Sequence, residues 1–175
     1  LENFQGLAGL LQASPADLRA AKGLGGSARR AQLLAVLEMS RRVLLQKMRK
    51  RDVMNNPETV KQFLQLQMGA YPQEVFAVVF MDAQYRLLSF HEMFRGTLNQ
   101  TSVYPREVVK LALELGAAAV ILAHNHPSGD VRPSVADSAL TRTLQTALSM
   151  VDVKVLDHII VGPGQHWSMA ERSPW

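Results

Sequence analysis

The hydrophobic positions change their period near residue 52. Before that point "ENFQGLAGLLQA" spaces its apolar residues as one face of a helix would. Ser14 followed by Pro15 is a helix-start signal, so "SPADLRAAK" is expected as a short helix that stops at Gly23. The following "GLGGSARRAQLLAVLEMSRRVLLQ" opens on glycines, offers Ser27 as a cap and places apolar residues at 33, 34, 37, 44 and 45. Helix, tight glycine turn and helix are predicted. "DVMNNP" then breaks the chain, which puts a boundary near Asp52 and divides it into residues 1–52 and 53–175.

Beyond the boundary, strand and helix patterns alternate. "NPETVKQFLQLQMG" predicts a helix with Asn56 as N-cap, Pro57 in the first turn and Gly69 past its end. "EVFAVVFMD" is an almost unbroken β-branched and aromatic run, which predicts a buried strand. "DAQ" turns the chain into a second strand, "YRLLSFHEMF", and the two should pair as a hairpin. A further strand is expected near "GTLNQTSVY". Pro105 opens and Gly116 ends a helix, "AAVILAHNH" is a strand, and Ser134 starts the helix "PSVADSALTRTLQTALSM". "VKVLDHIIVG" and "HWSMA" are expected as closing strands around the turn "GPGQ". Helices mixed with a largely buried sheet predict an α/β or α+β domain.

Composition narrows the chemistry. An apolar fraction of 47% and a mean hydropathy of −0.01 describe a globular chain with a real core, and no apolar run is long enough to span a bilayer. "LENFQGLAGLLQAS" lacks a basic start and a continuous apolar stretch, so no signal peptide is expected, and without Met it reads as part of a longer chain. There is no cysteine, which excludes disulfides and thiolate metal sites, leaves His, Asp and Glu as the strong ligands and makes a cytoplasmic address the expectation. The net charge of +4 is unevenly spread. Residues 1–52 hold ten Lys/Arg against four Asp/Glu, a net +6, and the remainder nine against eleven, a net −2. Such a division suggests that the first unit meets a polyanion. "RRVLLQKMRKR" at 41–51 carries six basic residues and no acidic one, either as a solvated helix end leading into a linker or as a patch that assists DNA binding by counterion release.

The densest chemistry lies in "HNHPSGDVRPSVAD", residues 124–137. His124 and His126 stand two apart at the end of a strand, so both leave the same face of the sheet. Asp137 falls in the first turn of the next helix, which the loop can fold back over the strand end. Two nitrogens and an oxygen suit a catalytic zinc with an open position for water, whose pKa zinc lowers towards about 7. The alternative is a capped polar loop without an ion. Ser134 could be only the N-cap of its helix, and Glu74 only a surface residue at a strand start. His158, inside an apolar strand after Asp157, reads as a core histidine or one that supports the site, while His91 and His166 carry weaker signals. Trp167 and the phenylalanines read as core, and Arg106 as a surface or substrate-touching residue.

His-x-His, seven residues, Ser, two residues and Asp, with a Glu upstream, resembles the JAMM signature of the MPN-type metalloproteases. The longer "HNHPSG", the upstream "YPREVVKLAL" and the downstream "LDHIIVG" make the chain similar to the bacterial RadC family. That resemblance implies a JAMM/MPN (cytidine-deaminase-like) mixed sheet flanked by helices. It implies one zinc ion per chain held by His124, His126 and Asp137. Glu74 would move the proton of the attacking water and Ser134 would bond the oxyanion. It further implies cleavage of a peptide or isopeptide bond, with DNA repair or recombination as the setting. The first unit resembles a helix-hairpin-helix DNA-binding module, in which Gly23 and Gly25 open backbone N–H groups to a phosphate and Arg29 and Arg30 add charge. A small helical packing module would give the same pattern. Two other readings of the whole remain: a metal-dependent nuclease, and a DNA-associated scaffold whose zinc is structural.

Overall fold

The computed structural model describes residues 10, 15–21, 26–50, 52–53, 55–96 and 103–172. In chain order these form α1 (Pro15–Ala20), α2 (Ser27–Lys50), α3 (Pro57–Met68), β1 (Val75–Met81), β2 (Leu87–Arg95), α4 (Pro105–Glu114), β3 (Ala119–Asn125), α5 (Val135–Ser149), β4 (Lys154–Gly162), β5 (Gln165–Ser168) and α6 (Met169–Arg172). The five strands make one mixed sheet in the order β2-β1-β3-β4-β5. Only β3 and β4 run parallel, and α5 is the crossover that joins them.

Side chains alternate between the faces of a strand, so each strand feeds two cores. Ala77, Val79 and Met81 of β1, Ala119, Ile121 and Ala123 of β3, and Ile159 and Val161 of β4 meet Met48, Val60, Phe63, Leu64 and Met68 from α2 and α3. Phe76, Val78, Phe80, Val120 and Leu122 meet Val108 and Ala112 of α4 and Leu144 and Leu148 of α5 on the opposite face. Burial on both faces is why β1 and β3 read as continuous apolar runs rather than alternating ones. The same parity decides the site. His124 shares the face of Val120 and Leu122 and points towards α5, whereas Asn125 points the other way.

Local signals mostly act as the residues suggest. Asp82 accepts the N–H groups of Gln84 and Arg86, each at 2.9 Å, and closes the β1–β2 hairpin. Gly116 ends α4 with φ +62°, a conformation that glycine adopts without cost, and lets the Ala117 N–H reach back to the carbonyl of Ala112 at 2.9 Å. Asn56 occupies the N-cap of α3, yet its side chain makes no capping bond.

Four expectations change. The strand expected near 96–104 is not found at Val103 and Tyr104, where the chain enters α4, and 97–102 lie outside the described residues. "HWSMA" stays extended only to Ser168, because Asp157 and Ser168 accept the N–H groups of Ala170 and Glu171 and start α6. Trp167, read as core, is half-buried, with the Arg172 guanidinium 4.4 Å from its ring centre. Of residues 41–51, read as a solvated end leading into a linker, the described 41–50 are packed along one side. Met48 is buried, Leu44 and Leu45 lie on the α3 core, and Arg41 bonds Gln67 at 2.6 Å as well as Glu38. Of the first helix predicted in the chain, only residue 10 is described, and it is helical.

Candidate metal centre

The site forms where β3 ends and α5 begins. Ser134 caps α5 by accepting the Asp137 N–H at 3.1 Å, and the Asp137 carboxylate returns the bond through Oδ2, taking the Ser134 N–H at 2.7 Å and its hydroxyl at 2.6 Å. This capping box holds a carboxylate at a helix N-terminus, where the helix dipole favours negative charge. With Oδ2 occupied, Oδ1 faces His124 Nε2 at 3.2 Å. Burial alone would raise the Asp137 pKa. The contacts with His124 and Ser134 outweigh it and hold the carboxylate well below its ordinary range.

Both histidines present Nε2 to the same point. His126 Nδ1 lies 2.5 Å from the carbonyl of Asp130, which can only accept, so Nδ1 carries the proton. His124 Nδ1 meets His158 Nε2 at 2.8 Å, and His158 Nδ1 meets Thr141 Oγ1 at 2.6 Å. Full burial pushes the His158 pKa well below that of an ordinary histidine, so His158 is neutral. Thr141 spends its one hydroxyl proton on the carbonyl of Asp137 at 2.6 Å. Thr141 therefore accepts from His158, His158 accepts from His124, and the His124 Nε2 lone pair points away from the chain of bonds. The two Nε2 atoms are 2.9 Å apart, and His126 Nε2 is 3.7 Å from Asp137 Oδ2.

Three electron-pair donors facing one another repel unless a cation lies among them. Ligands at about 2.0–2.1 Å around a tetrahedral zinc are roughly 3.3 Å apart; the two Nε2 atoms at 2.9 Å and His124 Nε2 to Asp137 Oδ1 at 3.2 Å lie near that value. His124, His126 and Asp137 are also the group of His and carboxylate side chains, among the described residues, whose ligand atoms lie within 4.8 Å of one another. The donor set fits a divalent metal of the zinc class.

A cavity of about 300 Å³ opens beside these ligands and is lined by Glu74, His126, Arg132, Ser134 and Asp137, with His124 fully buried behind it. Glu74 immediately precedes β1, whose Phe76 is paired with His124, so β1 delivers it to the same sheet edge. The structure thus brings together the five residues expected at the metal site, Glu74, His124, His126, Ser134 and Asp137. It leaves out His91, bonded to Ser89 on β2, His166 on β5, and Arg106, which pairs with Glu107 and stacks on Tyr104. Of the candidate DNA contacts, Gly23 and Gly25 lie outside the described residues, Arg29 is exposed and Arg30 half-buried in the first turn of α2. Sequence reasoning missed Asn125, Asp130 and Thr141. Thr141 could have been found from its place four residues after Asp137, on the same helical face.

A mixed sheet whose central strand ends in His-x-His, with a capping aspartate on the next helix, defines an α/β domain of the JAB class with a candidate metal site. The chain belongs to the RadC family: the profile of the RadC-like JAB domain matches residues 54–174. Its relatives include a UPF0758 protein of Variovorax paradoxus, 59% identical over 172 residues, which span 98% of this chain and 76% of that protein. Another, from Verminephrobacter eiseniae, is 62% identical over 168 residues, or 96% of this chain and 70% of the relative. No described helix is long and apolar enough to cross a membrane.

Proposed function

We propose that this protein is a zinc-dependent hydrolase of the JAMM type that cleaves a peptide or isopeptide bond. The observation that carries the reading is the convergence of two Nε2 lone pairs and the Asp137 carboxylate beside a cavity that Glu74 also lines. His124, His126 and Asp137 would hold the ion, which supplies Lewis acidity and makes water acidic enough to attack at neutral pH. Glu74 takes a proton from the attacking water and returns it to the departing amine. Ser134 turns its hydroxyl proton from Asp137 to the oxyanion that develops on the substrate carbonyl. A single cluster of ligands among the described residues favours an amide over a phosphodiester, whose cleavage often uses two metals. The proposal includes a cytoplasmic setting and DNA contact through residues 1–52, for which the net +6 of that segment and exposed Arg29 speak.

Elemental mass spectrometry of purified wild-type protein beside His126→Ala and Glu74→Gln tests the reading. About one zinc per chain in the wild type and in Glu74→Gln, lost in His126→Ala, together with peptide hydrolysis by the wild type alone, is expected. A wild type that takes up no zinc when it is supplied removes the hydrolase reading.

A further inference from the structure

The hydrogen bonds behind His124 do not end in solvent but return to another ligand of the centre. His124 Nδ1 donates to His158 Nε2 at 2.8 Å, His158 Nδ1 donates to Thr141 Oγ1 at 2.6 Å, and Thr141 donates to the Asp137 carbonyl at 2.6 Å. His158 and Thr141 are 0% and 2% exposed, so water does not compete for these bonds. The order of donors has one consistent solution. Thr141 has a single proton, and a backbone carbonyl cannot donate, so every bond in the chain runs from His124 towards Asp137.

We infer that His158 and Thr141 are positioning residues, which fix the Nδ1–H tautomer of His124 and so aim its Nε2 at the metal position. The circuit joins β3 to β4 and β4 to α5, so it also sets the separation between the strand that carries His124 and the helix that carries Asp137. Histidine ligands in metalloproteins commonly donate their second nitrogen to such a partner, and loss of the partner weakens metal binding about 10–100-fold. Phe76 packs edge-on against the His158 ring at 5.9 Å between centres and keeps the ring from turning. Neither residue lines the cavity where a substrate would lie, so their effect passes through the ligands His124 and Asp137 rather than through contact with substrate.

The inference rests on the metal reading of the site. Its test is zinc affinity, measured by competition with a chelator, for wild type, His158→Phe, His158→Gln, Thr141→Val and Thr141→Ser, with circular dichroism to verify folding. Long-range ¹⁵N–¹H spectra of the zinc-loaded protein report which His124 nitrogen carries the proton. His158→Phe and Thr141→Val are expected to bind zinc about 10–100-fold more weakly. His158→Gln, whose Oε1 can accept in place of Nε2, and Thr141→Ser recover most of the affinity, which a role limited to packing would not produce. In the wild type His124 is protonated at Nδ1. Unchanged affinity in a folded His158→Phe, or ligation of His124 through Nδ1, overturns the inference while the metal reading stands. If His158→Phe does not fold, the Thr141 pair decides in the same way: equal affinities for Thr141→Val and wild type overturn it. A wild type that binds no zinc overturns the metal reading and this inference together.

Discussion

Asn125 holds Glu74 by the backbone on either side of it. Its Oδ1 accepts the N–H of Val75 at 2.7 Å, and its Nδ2 donates to the carbonyl of Gln73 at 3.0 Å and to that of Tyr71 at 3.2 Å. The residue after a proposed metal ligand thus fastens the proposed base, through an amide that is 1% exposed.

Asn125→Ala should separate chemistry from metal binding. It leaves the Val75 N–H and two carbonyls short of partners, at a cost of about 1–3 kcal/mol for a buried unpaired group. Zinc content should stay at the wild-type level while kcat falls, because Glu74 loses its tether and the ligands do not. Thermal unfolding, metal analysis and a peptide-hydrolysis assay check the three parts; an unaltered kcat would remove Asn125 from the catalytic arrangement.

Tyr71 should shape the alkaline limb of stability. Burial, followed by its 2.6 Å bond to Glu92, pushes its pKa up to about 12. A raised folded pKa means that the stabilisation is complete below the ordinary tyrosine value of about 10 and disappears as pH rises through 12. Tyr71→Phe should lose about 1.5 kcal/mol at neutral pH, the low end for a bond to a charged group, because the pair is only partly buried. Its stability should then vary less than that of the wild type between pH 10 and 12, as measured by urea unfolding at a series of pH values.

Met48→Ala tests whether α2 is integral to the domain. Met48 is 2% exposed and shares a core with Val60, Phe63 and Leu64 of α3. Emptying that volume should cost about 2–5 kcal/mol. A single cooperative transition at lower temperature is the expected calorimetric result; no shift would mean that α2 contributes little to the fold.

DNA binding predicts a definite salt response. For Arg29→Glu/Arg30→Glu, binding to duplex DNA should weaken regardless of sequence, and the slope of log K against log salt should become shallower by about one for each phosphate no longer neutralised. Fluorescence anisotropy between low and physiological salt provides the measurement. If the wild type binds no duplex at low salt, the DNA proposal fails.

How far the sequence could be read depends on how local each signal was. His124, His126, Ser134 and Asp137 lie within fourteen residues, and the apolar run before His124 demanded a buried strand, so ligands and secondary structure emerged together. His158 was ambiguous because its role depends on β4 lying parallel to β3, with Leu122 opposite His158, a neighbour relation that no short stretch states. Asn125 was hidden for a related reason: its partners are some fifty residues away and two of them are backbone carbonyls. The packing of α2 was obscured by exposed Val36, Met39 and Val43, which blur the contrast between its faces, and by the six basic residues near its end.

The parallel pairing of β3 and β4 has a consequence for how this architecture can change. All three proposed ligands, and both residues that support His124, belong to one strand–helix–strand unit running from Ala119 to Gly162. Glu74 alone comes from outside it, on an antiparallel neighbour. Ion capture and proton handling are therefore inherited on separate pieces of chain. A drift at the entrance to β1 can silence or retune the reaction and leave a fully formed ion site behind, so members of one lineage can share the ligands and still differ in whether they are enzymes.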